Sequence, residues 1–155
     1  MSLIAMAYQY QQQHSTQTLQ EGLEEYYRSI PGLTTSNYSS LEMKKFFQSH
    51  DVTHVVFGCS TSIVDETLTD FWTLFGSTVK FSRYLAYLNY PETQQIFQEA
   101  GYLQTLGIFL KTLPQVFRVI WRTFQMRKKW DWENYESYLH LSLQEIRREF
   151  GICVI

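Results

Sequence analysis

Two histidines and two carboxylates lie close together in the first half of the chain, at a spacing that suits metal binding. The segment from His50 to His54 reads HDVTH, and Glu66 follows twelve residues later. Histidines four residues apart fall on one face of an α-helix, because successive side chains rotate by about 100°. Asp51 borders the same face. The pattern predicts a helix with a metal-binding face, to which the next element adds Glu66.

Imidazole nitrogens and carboxylate oxygens bind zinc, and they also bind iron and manganese. A catalytic metal needs about three protein ligands and an open position for water or substrate. His50, His54 and Glu66 supply that set, and Asp51 is either a fourth ligand or a base beside the metal. Asp70, four residues after Glu66, either orients a metal-bound water or is an ordinary solvated carboxylate.

The elements that must position these residues are predicted to be helices. Apolar residues recur every three or four positions, which predicts an all-α fold. A chain of 155 residues makes a single domain, and we expect about six to seven helices. Ser62 with Asp65 three residues later matches a capping box. Such a box would engage Asp65 and leave Glu66 free to face the histidines. The predicted helices span about 16–28, 40–57, 62–75, 79–89, 92–110, 114–129 and 132–150.

Composition narrows the classes of function. The net charge of −2 argues against nucleic-acid binding. Aromatic residues make up 17% of the chain, which indicates either a well-filled core or a wide apolar cavity for a lipid-like ligand. Two unpatterned cysteines fit a reducing, cytoplasmic setting. Residues 1–20 are rich in glutamine and are expected to fray or to extend the first helix, and residues 21–155 are expected to form the domain.

A second feature is a strongly basic aromatic stretch between Ala100 and Trp130. It carries six lysines and arginines and no acidic residue. A basic helix with Trp and Phe suits an anionic membrane surface. Two other interpretations remain open: a core helix with a solvated basic face, or an anion site in which Arg118 or Arg122 binds a ligand phosphate.

The motif H-D-x-x-H-x(11)-E, formed here by His50, Asp51, His54 and Glu66, resembles the signature of the ubiquinone (coenzyme Q) biosynthesis "Coq four" family. The Val-Val-Phe-Gly that follows His54, the Trp-Asp-Trp-Glu from Trp130 and the segment 146–152 are also similar to that family. The resemblance covers about residues 21–152, which is nearly the whole predicted domain.

The resemblance implies an all-α protein, peripheral to a membrane, that holds isoprenoid tails in an apolar cleft. His50, Asp51, His54 and Glu66 would bind a divalent cation, zinc first, with magnesium, iron or manganese as alternatives. Asp51 and Glu66 would be catalytic. The implied reaction removes the C1 carboxylate of a polyprenylated hydroxybenzoate, with hydroxylation at that carbon. Expected partners are this lipid, the membrane surface, other quinone-biosynthesis enzymes and a second copy in a homodimer; in a eukaryote the membrane would face the mitochondrial matrix.

Two further hypotheses stay open. A non-enzymatic scaffold would hold a prenyl lipid for partner enzymes, with the metal in a structural role. An HD-type phosphohydrolase uses a histidine, a His-Asp pair and a distant aspartate. Only His14 precedes His50 and Asp51, and it lies in the glutamine-rich segment.

Overall fold

The chain folds around one helix whose C-terminal half is buried on every side. In the computed structural model, residues 8–30, 38, 40–90, 94, 98 and 101–155 are described, of which 102–105 by backbone only. They form one all-helical domain with no β-strand in this part of the chain. The six α-helices are α1 (Leu19–Arg28), α2 (Leu41–Phe57), α3 (Ile63–Gly76), α4 (Phe81–Leu88), α5 (Tyr102–Gln125) and α6 (Leu143–Phe150).

Helix α2 is the central element. Every residue from Ser49 to Phe57 is buried, including two histidines and an aspartate. A helix enclosed on all sides carries apolar residues all round, and α2 is surrounded by α1, α3, α6 and the short 3-10 helix at Gln9–Gln11. The sequence therefore buries its metal-competent residues by placing them in the core helix.

Local signals define both ends of α2 and of the helix that follows. The Ser40 hydroxyl accepts a hydrogen bond from the Met43 amide, which caps the helix start. Gly58 ends α2 with a φ of 73°, a left-handed conformation that glycine adopts without strain. The Ser62 hydroxyl caps α3 by accepting from the Asp65 amide. These predicted boundaries are confirmed.

The predicted capping box at Ser62 is only half formed. The Asp65 carboxylate accepts from the amide and hydroxyl of Ser60 instead of reaching back to Ser62. Asp65 is nevertheless engaged at the start of the helix, and Glu66 stays free to face the histidines.

Two predicted helix boundaries near the C-terminal half are wrong. Helices 92–110 and 114–129 were expected to be separate, but α5 runs continuously from Tyr102 to Gln125 with Pro114 inside it. Residues 91–93, 95–97 and 99–100 lie outside the described part. A proline within a helix loses one hydrogen bond, a cost that packing of α5 along α3 offsets. Because α5 ends at Gln125, Lys129 lies beyond this helix and does not share its basic face with Arg118 and Arg122.

The last helix is also shorter than predicted. Asp131 does not start it; a 3-10 helix spans Tyr135–Tyr138, and Ser142 caps α6 in a capping box with Glu145. Gly151 ends α6 with a φ of 71°, as predicted. A Cβ at Gly151 would lie 2.8 Å from the Arg127 amide nitrogen, so both space and conformation require glycine there.

The described part of the glutamine-rich segment packs against the core. Tyr10 is fully buried, and its hydroxyl donates to the carbonyl of Cys59. The amides of Gln9 and Tyr10 both donate to the Glu25 carboxylate on α1.

Arg147 on α6 joins this segment to α2. Its guanidinium is buried and donates to the carbonyls of Val55 and Val56 at the end of α2, both at 2.9 Å. It also donates to the carbonyls of Tyr10 and Gln12. Burial lowers the pKa of Arg147 to about 10. No carboxylate of the described residues pairs with this cation, so carbonyl dipoles at the C-terminal end of α2 stabilise it.

None of the helices in the described ranges combines the length and the apolar character needed to cross a bilayer.

We expect Arg147→Met to lower the free energy of unfolding by about 3–5 kcal/mol. Three buried carbonyls and the part-buried carbonyl of Gln12 would lose a donor, at about 1–3 kcal/mol for each buried one, and relief of the buried charge would offset part of that cost. Urea denaturation followed by circular dichroism measures the change. The neighbouring exposed Arg148→Met is the control and should shift stability by about 0.5 kcal/mol or less. Equal effects of the two substitutions would contradict this role of Arg147.

Candidate metal centre

His54 lies at the centre of the candidate site and is completely buried. Its Nδ1 lies 3.2 Å from the Thr69 hydroxyl oxygen on α3. That hydroxyl also lies 2.8 Å from the Asp65 carbonyl oxygen, which can take its single hydrogen and leave the oxygen to accept from His54. This arrangement favours the tautomer of a neutral His54 that carries its proton on Nδ1. This leaves the Nε2 lone pair free to bind a cation.

The Nε2 atom of His54 is buried and has no hydrogen-bond partner in the described part of the chain. It faces the Glu66 carboxylate, with Nε2 and Oε2 3.4 Å apart. An unprotonated nitrogen and a carboxylate oxygen repel each other unless a cation, either a proton or a metal ion, lies between them. A buried polar atom without a partner is uncommon in folded proteins and calls for such an explanation.

His50 lies one helical turn before His54 and faces α3 as well. Its ring is 4.8 Å from that of His54, and its Nε2 is 3.7 Å from Oδ1 of Asp70. Burial lowers the pKa of His50, but contact with Asp70 and the negative charges of Glu66 and Asp51 outweigh burial and raise it to about 9. The surroundings of His50 thus favour positive charge at this place.

The structure brings three of the four predicted ligands together. Each of three residues offers one ligand atom, and these atoms lie within 4.8 Å of one another; the residues are His50, His54 and Glu66. Burial opposes ionisation of Glu66, but the two histidines outweigh it and hold the pKa of this carboxyl below its usual range. Two imidazoles and an ionised carboxylate form a set of three ligands of the kind that catalytic zinc sites use.

Asp51, the fourth predicted ligand, lies outside this cluster and faces α1. Its Oδ2 accepts from the Tyr27 hydroxyl at 3.0 Å, and its Oδ1 accepts from Tyr26 at 3.4 Å. Burial raises the pKa of Asp51 above its usual range, against the opposing effect of His50, His54 and the Tyr27 hydrogen bond. Burial and the Asp51 charge also raise the pKa of both tyrosines. Both phenols therefore stay protonated and keep donating to Asp51.

Aromatic rings border the histidines on two sides. The Tyr26 ring lies 5.3 Å from that of His54, and the Tyr87 ring lies 6.5 Å from that of His50. Tyr87 belongs to an aromatic cluster with Phe46, Tyr84 and Trp132. Such rings limit water at the site and offer stacking surfaces to an aromatic ligand.

Arg118 and Arg122 are not part of this cluster. Both lie on α5, where Arg118 is exposed and Arg122 is half-buried and donates to Gln125.

Sequence reasoning missed Thr69, which contacts His54, and it missed Tyr26 and Tyr27, which engage Asp51 outside the cluster. Thr69 is three residues after Glu66, one helical turn along α3, so helical spacing could have indicated it. Nothing local indicated the tyrosines, because they come from another helix.

We expect Thr69→Val, which removes the hydroxyl at nearly constant volume, to release the His54 proton from Nδ1. Long-range ¹H–¹⁵N correlation of the metal-free protein should show the Nδ1–H form in the wild type and a mixture of forms in the variant. Thr73→Val is the matched control, since the buried Thr73 hydroxyl one turn further has no partner in the described ranges. An unchanged His54 spectrum in Thr69→Val would contradict the assignment.

No protein-family model, no curated protein and no solved structure matches this chain.

Proposed function

We propose that the protein binds a divalent cation, zinc first, through His50, His54 and Glu66, and that this centre receives the polar end of a prenylated aromatic acid. The observation that carries the proposal is the buried, unpartnered Nε2 of His54 facing Glu66. The resemblance to the "Coq four" family supports the choice of a prenylated aromatic acid, because three of the four motif residues form the cluster.

The proposed reaction releases the C1 carboxylate of a polyprenylated hydroxybenzoate as carbon dioxide. Hydroxylation at the same carbon, which the resemblance implies, needs in addition a two-electron oxidant such as dioxygen. When bound, the metal would supply a Lewis acid for a carboxylate or phenolate and stabilise charge on the ring. The residues of the chain hold and shield that charge: Thr69 orients His54, and Tyr26 and Tyr87 restrict water beside the histidines. Exclusion of water strengthens electrostatic interactions within the site.

A scaffold that holds the same lipid without turnover is the second candidate. The observation that favours it is the environment of Asp51, the proposed proton acceptor, whose two oxygens are already engaged by Tyr26 and Tyr27. The phosphohydrolase alternative receives less support. It needs an upstream histidine beside Asp51, whereas His14 lines a surface cavity of about 500 Å³ with Arg127 and Arg148.

Metal binding is tested by titrating the purified protein with Zn²⁺ in competition with a chromophoric chelator. Loss of an outer partner costs about 10–100-fold in metal affinity, and we expect Glu66→Gln and His54→Ala to cost at least that much. Glu66 is partly exposed, so its substitution should leave the fold intact. His140→Ala, at an exposed histidine, is the control and should bind as the wild type does. A wild type that binds no more tightly than Glu66→Gln would refute the proposal.

We further propose that α5 rests on an anionic membrane surface. Its buried face, with Val116 and Val119, belongs to the core, but a second apolar face remains exposed. Phe124 is 79% exposed, the largest value on that face. The other members of the exposed face are Leu106, Leu110, Phe117 and Trp121. Lys111, Arg118 and Arg122 lie beside it on the same helix, which adds charge complementarity to anionic lipid.

Flotation with phosphatidylcholine vesicles containing about 30% phosphatidylserine tests this surface. Each arginine contributes roughly 1 kcal/mol, so Arg118→Gln with Arg122→Gln should weaken binding about 30-fold. Trp121→Ser should weaken binding to neutral and anionic vesicles alike. Ile63→Ser is the control, since Ile63 is exposed on α3 beside acidic residues. Equal flotation of all variants would refute the membrane proposal.

A further inference from the structure

Asp70 is a second carboxylate beside the cluster: it faces His50 and lies just outside the set of ligand atoms that are within 4.8 Å of one another. It lies one helical turn after Glu66 on α3, just as His54 lies one turn after His50 on α2. The contacts pair His50 with Asp70 and His54 with Glu66, the order that two antiparallel helices produce. The helices therefore present two matched imidazole–carboxylate pairs, stacked one turn apart.

We propose that Asp70, and not Asp51, is the fourth ligand of the metal centre. This inference rests on the proposed function, since it assumes that His50, His54 and Glu66 bind the ion. It departs from the motif, in which the acidic neighbour of His50 would be the ligand.

Within the two pairs, the distance between the imidazole nitrogen and the carboxylate oxygen suits two ligands of one ion. Nε2 and the facing carboxylate oxygen are 3.7 Å apart in the His50–Asp70 pair and 3.4 Å apart in the His54–Glu66 pair. Hydrogen bonds between nitrogen and oxygen are usually about 2.7–3.2 Å long. Two ligands bound to one tetrahedral zinc at about 2.1 Å lie about 3.4 Å from each other. Both pairs thus have the spacing of two ligands around an ion, and both separations are longer than a usual direct hydrogen bond.

The surroundings of the two aspartates carry the second step. Asp51 is buried, and the hydroxyls of Tyr26 and Tyr27 occupy its two oxygens on the side of α1. Asp70 is 39% exposed and can adjust towards an ion. The Tyr84 phenol on α4 is buried, and burial together with the Asp70 charge raises its pKa, so it stays protonated and available as a hydrogen-bond donor to Asp70. Ligating carboxylates commonly have such an outer hydrogen-bond donor.

Charge balance carries the third step. Two neutral imidazoles with the carboxylates of Glu66 and Asp70 neutralise a divalent cation in a largely buried place. A four-ligand set of this kind leaves positions open for a substrate only if coordination expands beyond four, which zinc, manganese and iron allow. The inferred centre would bind a substrate carboxylate by expanding to five or six ligands.

The test compares two chemically identical substitutions, Asp70→Asn and Asp51→Asn, in the full chain. Zn²⁺ affinity is measured by chelator competition, and Co²⁺ loading is followed by visible absorption. We expect Asp70→Asn to weaken Zn²⁺ binding by about 10–100-fold or more and to change the Co²⁺ spectrum. Asp51→Asn should change the affinity by less than about threefold, far below the loss typical of an outer partner. Because Asp51 is buried, Tyr27→Phe serves as a second probe and should also leave Zn²⁺ binding unchanged.

The outcomes separate this inference from the proposal on which it rests. Strong binding by the wild type, lost in Glu66→Gln and Asp51→Asn but kept in Asp70→Asn, would overturn the inference and leave the metal centre standing. Wild-type affinity in both aspartate variants would also overturn it. A wild type that binds no Zn²⁺ or Co²⁺ would overturn the proposed function, and the inference with it.

Discussion

The guanidinium of Arg147 is the contact that ties the architecture together. It collects carbonyls from the end of α2 and from the segment that carries Tyr10, while its own helix, α6, comes from the far end of the chain. A buried cation without a carboxylate partner is costly unless every donor finds an acceptor. Here the acceptors are backbone groups at a helix C-terminus, where the partial negative charge favours a cation. The last turn of α2, which carries His54, is fixed by this contact.

Rigid placement of α2 explains why a polar site persists in a core. The close approach of α1 contributes as well, since a Cβ at Gly22 would lie 2.8 Å from the Val55 side chain. With α1 held so near, Tyr26 and Tyr27 reach Asp51 and keep a buried carboxylate satisfied. From the other side, Thr69 satisfies one nitrogen of His54. Among these described groups of the site, Nε2 of His54 is left without a hydrogen-bond partner, and it faces the Glu66 carboxylate.

The sequence was most informative where a local rule decides the conformation. Ser40 and Gly58 mark the ends of α2 because a capping hydroxyl and a left-handed turn need those residue types. The same reasoning failed at Pro114, because tertiary packing overrode the local preference of proline for a helix start. Helical spacing alone places His50 and His54 on one face of α2, and Glu66 joins them because α3 packs antiparallel against α2. The side to which Asp51 turns could not be predicted from the sequence, because it depends on tyrosines that approach from another helix. The hydrogen bonds of Arg147 to distant carbonyls could not be predicted either.

Exposure differs sharply across the four groups of the paired helices. The imidazoles of His54 and His50 are shielded from solvent, at 0% and 8%, whereas the carboxylates of Glu66 and Asp70 are 43% and 39% exposed. A dissolved ion would therefore meet the oxygens before the nitrogens, and it would shed its hydration shell stepwise as it moves inward. Ions that prefer oxygen ligands would stay near the exposed carboxylates, whereas ions with affinity for nitrogen would move on to the buried imidazoles. In the proposed centre, an ion would reach the oxygens first and the nitrogens second, and this order would select the kind of ion that the site retains.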